Sequence, residues 1–146
     1  MAIFRDRPYG NARFSVQVNA AELQGIIEVH LPEMTIDLGE VREGDAIPLS
    51  SHKFSKRPRV GNLILKRGFR GSLDWYDWWR QAASGDPNSY RITVVSLLSE
   101  DRSVVVAEWT LQNAFPIRYS YSPLDGTDGG ILVEVIEIAC QDVEME

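Results

Sequence analysis

The amino-acid sequence predicts a mainly β protein, an antiparallel β-barrel or sandwich with one flanking α-helix at about residues 73–84. Apolar and polar residues alternate with a period of two through much of the chain, which is typical of strands. One tryptophan-rich segment instead has the spacing of a helix, with strand-like segments on both sides of it. Strands around a single helix favour a barrel or a sandwich. The length of 146 residues suits one domain, residues 1–146.

Three segments alternate cleanly and are predicted to be strands with one solvent-facing side. On this pattern Ile27 shares a face with Val29, and Ile117 shares a face with Tyr119. The segments are residues 13–18, 27–31 and 115–121.

Four further segments carry apolar residues on both faces, and a strand of that kind is covered on both faces. A single small sheet domain has little of its own to cover a second face, so the pattern indicates a partner. The segments are residues 62–65, 92–98, 104–111 and 131–139.

Residues 42–59 contain few periodic apolar positions and are predicted to form a long loop or an irregular hairpin. A long loop in a compact domain is usually functional or disordered. Shorter turns are predicted at residues 84–88, 100–102 and 125–130, where Gly, Pro, Asp and Asn are concentrated.

The helix is predicted to begin after Ser72, which can cap its first turn, and to end before Gly85. At about 100° per residue, Trp75, Trp78 and Trp79 fall on one apolar arc that is wider than one core requires. Two interpretations stay open. The tryptophans pack in the core, or they straddle the domain and a neighbouring subunit, where Trp is enriched.

Charge is unevenly distributed along a chain whose net charge is −6. Residues 46–73 contain no Asp or Glu but include Lys53, Lys56, Arg57 and Arg59. After Arg118 the chain contains no Lys or Arg, and its charged residues are all Asp or Glu. The overall negative charge disfavours nucleic-acid binding, and the basic segment lacks regular aromatic interleaving for base stacking.

The residue types needed for a catalytic or metal site are not clustered. The two histidines, His30 and His52, have no Cys or His at ligand spacing, and the single cysteine, Cys140, is interpreted as a small buried apolar residue. We therefore expect no catalytic residues, no metal and no cofactor.

The N-terminal residues lack the apolar core of a signal peptide, and no apolar run is long enough to cross a bilayer. We expect a soluble protein that stays in the cytoplasm during assembly, with no direct membrane insertion by this chain.

Several segments, taken in order, resemble the tube proteins of contractile phage tails and of related injection systems. The resemblance covers nearly the whole chain, and its specificity lies in the order and spacing of the segments. They are residues 14–18, residues 42–44, residues 61–68 followed by the Trp-containing residues 73–79, residues 108–118, and residues 133–139.

The resemblance implies a non-enzymatic β-barrel subunit that forms six-membered rings. The rings would stack into a hollow tube inside a contractile sheath, with a baseplate at one end and protein cargo or DNA in the channel. Such a subunit would belong to a phage tail or to a phage-like injection particle.

Charge and aromatic content select the candidate subunit interface. We expect the basic middle segment of one subunit to meet the acidic C-terminal third of another, since complementary charge sets register and polarity. The candidates are Lys53, Lys56, Arg57, Arg59, Trp75, Trp78, Trp79, Glu134 and Glu137.

Two alternatives remain open. A related ring protein, such as a tube terminator, a baseplate hub piece or a secreted tube ring, would have the same fold. A small-ligand-binding barrel of lipocalin type would be a monomer with an apolar cavity.

Overall fold

The computed structural model describes the backbone of residues 1–42 and 51–146, and the side chains of residues 1–39 and 57–146. Within these residues the protein is mainly β with one α-helix, as predicted. The elements are β1 (Phe14–Val18), β2 (Ala21–Glu22), β3 (Ile26–His30), β4 (Met34–Arg42), β5 (Ser51–Val60), β6 (Leu63–Gly68), α1 (Asp74–Ala83), a 3-10 turn (Pro87–Ser89), β7 (Arg91–Leu98), β8 (Val105–Tyr121), β9 (Val133–Ala139) and β10 (Asp142–Met145).

Two antiparallel sheets share the long strand β8. The first sheet joins β2, β1, β7, the N-terminal half of β8 and β10; the second joins the C-terminal half of β8, β9, β6 and β3. The core lies between the sheets and takes residues from both. Its buried members include Val16, Val95 and Leu111 from the first sheet and Leu65 and Ile136 from the second.

Strand β8 replaces two predicted strands, residues 104–111 and 115–121. It stays continuous because Asn113, at φ 50°, and a bulge between Pro116 and Arg118 bend it from one sheet into the other. The prediction that Ile117 shares a face with Tyr119 was wrong. The bulge adds a residue and resets the alternation, so Ile117 is exposed while Pro116 is buried.

Strand β3 shows the same kind of correction. A register shift between Ile26 and Glu28 breaks the predicted alternation, so Ile27 is exposed. Ile26 and Val29 instead pack against the core.

Helix α1 begins at Asp74 and not immediately after Ser72. Leu73 occupies the N-cap position without a side-chain cap, and the Asp74 carboxylate accepts from the backbone N–H of Trp75. Gly85, at φ +78°, follows the helix, and its N–H donates to the Ala82 carbonyl.

Strands β4 and β5 form a separate two-stranded sheet, which we call the ribbon. Residues 42–59 were predicted to form a long loop or an irregular hairpin, and the part of them from residue 51 onward lies in a strand that pairs with β4, as a hairpin requires. Residues 43–50 lie outside the described residues. The ribbon connects β3 to β6, so it leaves the second sheet at the end where β6 begins.

Candidate assembly surfaces

The N-terminus of α1 is fixed to the second sheet by a buried charge network around Arg67. The Arg67 guanidinium donates to the carboxylates of Asp74 and Glu134 and lies 3.9 Å from the ring centroid of Trp75. The Tyr119 hydroxyl donates to Glu134 Oε2 at 2.5 Å. Burial and this hydrogen bond raise the pKa of Tyr119. Each charge has an opposite charge beside it, which makes its burial tolerable.

The Asp74 carboxyl is held in its charged form. Burial opposes ionisation, but hydrogen bonds from Arg67 and Ser72 outweigh it and lower the pKa of Asp74. Asp74 therefore keeps its negative charge at neutral pH, and its place at the helix N-terminus, where the helix dipole favours an anion, has the same effect.

Two of the three tryptophans of helix α1 belong to the core. Trp75 and Trp78 are buried, and Trp78 Nε1 donates to the Ser89 carbonyl oxygen at 2.8 Å. Trp79 is half-buried and Tyr76 is exposed. The outer part of the aromatic arc, at Trp79 and Tyr76, thus remains accessible to a neighbouring subunit.

The predicted interface residues divide into two groups, those buried within the subunit and those that stay candidates. Glu134 is only 1% exposed, so it has no surface left for a neighbour, and Trp75 and Trp78 are in the same position. These three candidates are corrected to core residues, because burial inside one subunit accounts for them.

The remaining candidates stay predictions. Arg57 is exposed, and Arg59 Nη1 lies 3.6 Å from Asp37 Oδ2. Glu137 is half-buried and accepts from Asn62 Nδ2 at 2.9 Å. The backbones of Lys53 and Lys56 lie in β5, but their side chains are outside the described residues.

The basic segment is partly neutralised inside the subunit. Lys66 Nζ lies 2.8 Å from Glu28, and Arg67 contacts Glu134. Antiparallel pairing of β6 with β9 brings Arg67 to the acidic C-terminal third, whereas pairing of β6 with β3 brings Lys66 to Glu28. Besides the cations of the ribbon, the exposed Arg70 of the basic segment is available to another subunit.

The last acidic residues of the C-terminal third lie on the outer face of the first sheet. Val143 faces the core, so Glu144, Glu146 and Asp142 lie on the opposite face. Two cross-strand rows on this face are fully described, and neither contains Lys or Arg. The rows are Glu22, Gln17, Val94, Thr110 and Glu144, and Ser15, Ser96, Glu108 and Glu146.

The ribbon is amphipathic and one of its faces is uncovered. Met34, Ile36 and Leu38 follow one another on one face and are 55%, 59% and 62% exposed. Pro58, paired with Ile36, extends this apolar face, while Arg59 lies on the opposite face. A two-stranded hairpin is marginally stable alone, so this face needs a cover.

A second uncovered apolar surface lies where β6 and β8 end and β9 begins. We call it the loop end. Leu124 there is 87% exposed, in a connection whose Asp125 accepts from the backbone N–H of Thr127. That hydrogen bond lowers the pKa of Asp125, which is therefore charged at neutral pH. The apolar members of the loop end are Phe69, Leu73, Tyr121, Leu124 and Ile131, and the acidic members are Asp125 and Asp128.

The sheets also have free margins. Among the described strands, β3 pairs only with β6, and β10 pairs only with β8. The two-residue strand β2 ends the first sheet on its other side. Unpaired backbone groups at such margins are sites for pairing with another chain.

A cavity of about 580 Å³ opens between β3 and the first sheet. Its lining includes Phe14, Leu97 and Trp109, and its titratable lining residues are Tyr9 and Glu28. Glu28 is already engaged by Lys66 and His30, and hydrogen bonds from these two residues lower its pKa.

The described parts of the chain contain no group of three or more His, Cys, Asp or Glu side chains that could hold a metal ion. Cys140 is half-buried against the core, and burial raises the pKa of its thiol. Within the same described parts, no helix is long and apolar enough to span a membrane.

Sequence reasoning missed the ribbon stripe and the Arg67 network. The stripe has a sequence signal, because Met34, Ile36 and Leu38 alternate with Thr35 and Asp37. The network has none, since the pairing of β6 with β9 decides which acidic residue meets Arg67.

Comparison with solved structures places the fold among injection-system proteins. The sheath–tube complex of an extracellular contractile injection system, PVC, contains a chain with a TM-score of 0.81 and 24% identity, covering 97% of this chain and 93% of that one. A chain in the tube-terminating cap of the anti-feeding prophage has a TM-score of 0.83 and 22% identity, and the match covers 100% of this chain and 95% of that one. Hcp1 from Flavobacterium johnsoniae has a TM-score of 0.56 and 16% identity, and the match covers 90% of this chain and 93% of that one.

A search of curated protein sequences finds no significant match. The sequence profile of the family described as T4-like virus tail tube protein gp19, however, matches residues 10–144. This match spans both sheets, the ribbon and the helix. The chain therefore belongs to the T4-like virus tail tube protein gp19 family.

Proposed function

We propose that this chain is the subunit of a hollow tube, in which six copies form a ring and rings stack along one axis. The observation that carries the proposal is the combination of free sheet margins with an uncovered ribbon. Both features leave hydrogen-bonding and apolar groups that another copy can cover.

Lateral contacts follow from the sheet margins. If strands at the margins of neighbouring copies pair edge to edge, the sheets join into a larger closed barrel with no exposed edge. The free edge of β3 and the edge formed by β10 are the described strands that can take part. A contact of this type is head-to-tail, so it closes when the rotation per copy divides a full turn.

Axial contacts follow from charge. The ribbon contributes Arg57 and Arg59, with Lys53 and Lys56 in the same strand, whereas the whole chain carries a net charge of −6. Complementary charge between rings would set their register and polarity more than their affinity.

The wider assembly is proposed from the relatives. Their structures include sheath–tube, baseplate, cap and terminator assemblies. By analogy, a contractile sheath surrounds the tube, a baseplate lies at one end, and the channel carries protein cargo or DNA. The chain acts structurally and not as an enzyme, and it assembles in the cytoplasm into a phage tail or a phage-like injection particle.

Negative-stain electron microscopy of the purified chain at increasing concentration tests the proposal. We expect six-fold rings in end views and tubes whose length grows with concentration. Size-exclusion chromatography should show the same change as a shift from low to high mass. A chain that remains monomeric at millimolar concentration contradicts the proposal and favours the alternative of a small-ligand-binding barrel.

A related ring protein is the second candidate. The anti-feeding prophage cap and the PVC sheath/tube terminator resemble this chain as closely as the sheath–tube complex does, with TM-scores of 0.83, 0.83 and 0.81. Rings that remain single at every concentration, while the ring itself is six-fold, would favour a terminator or a baseplate piece over a tube subunit.

A further inference from the structure

We propose that the Asp128–Gly129 peptide is a site of spontaneous isomerisation to isoaspartate, and that Asp125–Gly126 in the same connection is protected from it. An Asp–Gly sequence offers this reaction little steric hindrance, because glycine has no side chain beside the attacking nitrogen. The chain contains Asp–Gly at these two places and nowhere else. Both lie in the connection between β8 and β9, and both Asp side chains are exposed.

The reaction needs no enzyme and no oxidant. The backbone nitrogen of Gly129 attacks Cγ of the protonated Asp128 carboxyl, the bond from Cγ to the hydroxyl breaks, and water leaves with the amide proton. The product is a succinimide ring, which water then opens. Attack at Cγ restores Asp128. Attack at the α-carbonyl carbon leaves the main chain running through Cβ and Cγ, with the former α-carbonyl as a free carboxylate and the mass unchanged.

The backbone at both sites has room to reach the geometry of the ring. Apart from the adjoining residues, no atom lies within 4 Å of the position that a Cβ would take at Gly126 or at Gly129. Rotation that brings the glycine nitrogen toward Cγ of the preceding Asp therefore meets no neighbour at either site. The difference between the two sites lies in how each carboxylate is held.

The Asp125 carboxylate is held by the residue that follows Gly126. Its Oδ1 accepts from the backbone N–H of Thr127 at 2.9 Å and from the Thr127 hydroxyl at 2.7 Å. Ring closure on Gly126 requires the carboxylate to leave both donors. The same hydrogen bonds lower the pKa of Asp125, so the protonated carboxyl that can lose its hydroxyl is rarer there.

The Asp128 carboxylate is held by one weaker hydrogen bond. Its Oδ1 accepts from the backbone N–H of Gly130 at 3.3 Å, which is longer than the usual N–H···O range of about 2.7–3.2 Å. The two residues after Asp128 are both Gly, so neither supplies a hydroxyl donor like that of Thr127. The Asp128 carboxyl therefore gives up less when it turns to the nitrogen of Gly129.

The base of the connection stays closed when the loop changes. The Ser122 N–H donates to the Val133 carbonyl at 2.8 Å, and the Val133 N–H donates to Ser122 Oγ at 2.9 Å. The extra main-chain atom of isoaspartate is taken up between these two residues, and β8 and β9 stay paired. The isomer therefore alters the loop end around Leu124 and Ile131 without unfolding the subunit.

Peptide mapping of the aged full chain tests the proposal. The protein is kept near neutral pH for several weeks at a concentration too low for assembly, then digested with a protease that cuts before Asp but not before isoaspartate. We expect cleavage before Asp128 to disappear with time while the mass and the circular dichroism spectrum stay the same. The loss at Asp128 should be roughly fivefold faster than at Asp125, the ratio that one net hydrogen bond supports.

Two alanine variants form a matched pair. Gly129→Ala places a methyl group beside the attacking nitrogen and should slow the loss at Asp128 severalfold. Gly126→Ala makes the same change in the other Asp–Gly and should leave the rate at Asp128 unchanged. Both methyl groups enter open space, so neither variant disturbs the fold. Thr127→Val removes the hydroxyl donor and should raise the rate at Asp125.

Three results would overturn the proposal. The first is an Asp128 that stays intact, or that converts no faster than Asp125. The second is a rate at Asp128 that Gly129→Ala leaves unchanged, because the Gly129 nitrogen would then not be the attacking group. The third is an unchanged rate at Asp125 in Thr127→Val, which would remove the cause of its protection. None of these results bears on ring or tube formation, which is measured separately.

Discussion

Arg67 and Glu134 are directly paired residues on β6 and β9, and the Arg67 guanidinium Nε donates to the Glu134 carboxylate in the core. The same guanidinium reaches Asp74 at the start of α1. One arginine therefore joins the second sheet to the helix. This explains how a charged pair can lie between the buried Trp75 and the sheet without an uncompensated charge.

Replacing Glu134 with Ala should destabilise the subunit by about 3 kcal/mol, because it leaves Arg67 buried with one of its two carboxylate partners missing. Urea unfolding measured by circular dichroism, at concentrations too low for assembly, gives the free energy. The control Glu144→Ala removes an exposed carboxylate and should stay within about 0.5 kcal/mol of the parent. A loss below about 1 kcal/mol for Glu134→Ala would show that the pair does not hold the sheet and helix together.

Trp78 and Trp79 should behave differently although they are adjacent. Trp78→Ala should cost about 3–5 kcal/mol, because Trp78 is fully buried and donates to Ser89. Trp79→Ser should cost the subunit much less, while reducing ring formation if Trp79 contacts a neighbour. Unfolding curves and sedimentation velocity separate the two effects. Equal destabilisation by both variants, with assembly unchanged, would place Trp79 in the core as well.

The strands were largely predictable because burial of one face imposes alternation on the sequence. Where the pattern is continuous, as in β1, the prediction and the structure agree that Phe14, Val16 and Val18 share the core face. Alternation predicts the wrong face beyond a β-bulge, because one extra residue moves every following side chain to the other face of the sheet. Ile27 and Ile117 were misplaced for this reason. Strand β10 was missed because it is short and Val143 is its only buried residue.

The candidate interface was less predictable than the fold. Charge and aromatic content selected Trp78 and Glu134 as interface candidates, but they could not tell a core role from a surface role. That distinction depends on long-range pairing, as between Arg67 and Glu134, which lie far apart in the chain. The stripe of the ribbon has a sequence signal in its alternation, yet only the three-dimensional arrangement shows that Ile36 is 59% exposed.

Stability should fall in acid partly through Asp74. Its pKa is lowered in the folded state, so its contribution is fully present above the ordinary carboxyl pKa of about 3.9 and is lost as the pH falls through the lowered value. Asp74→Asn should therefore unfold less steeply with decreasing pH below about pH 4. Ser72→Ala, which removes only the weaker hydrogen bond to Asp74, should have a smaller effect. Urea midpoints across pH 2–6 measure both, and identical slopes for Asp74→Asn and the parent would contradict the assignment.

Ionic contacts of the ribbon should control tube length. Replacing Lys56, Arg57 and Arg59 with Glu puts negative charge on β5, which would then repel the acidic C-terminal third of the next copy. We expect single rings in place of tubes at low salt, with partial recovery at high salt because screening weakens repulsion between exposed charges. The control changes Arg13, Arg80 and Arg102 to Glu, so the net charge is the same but the ribbon is untouched. Electron microscopy of tube length at two salt concentrations decides: tubes shortened equally by both triple variants would mean that total charge, and not the ribbon, limits stacking.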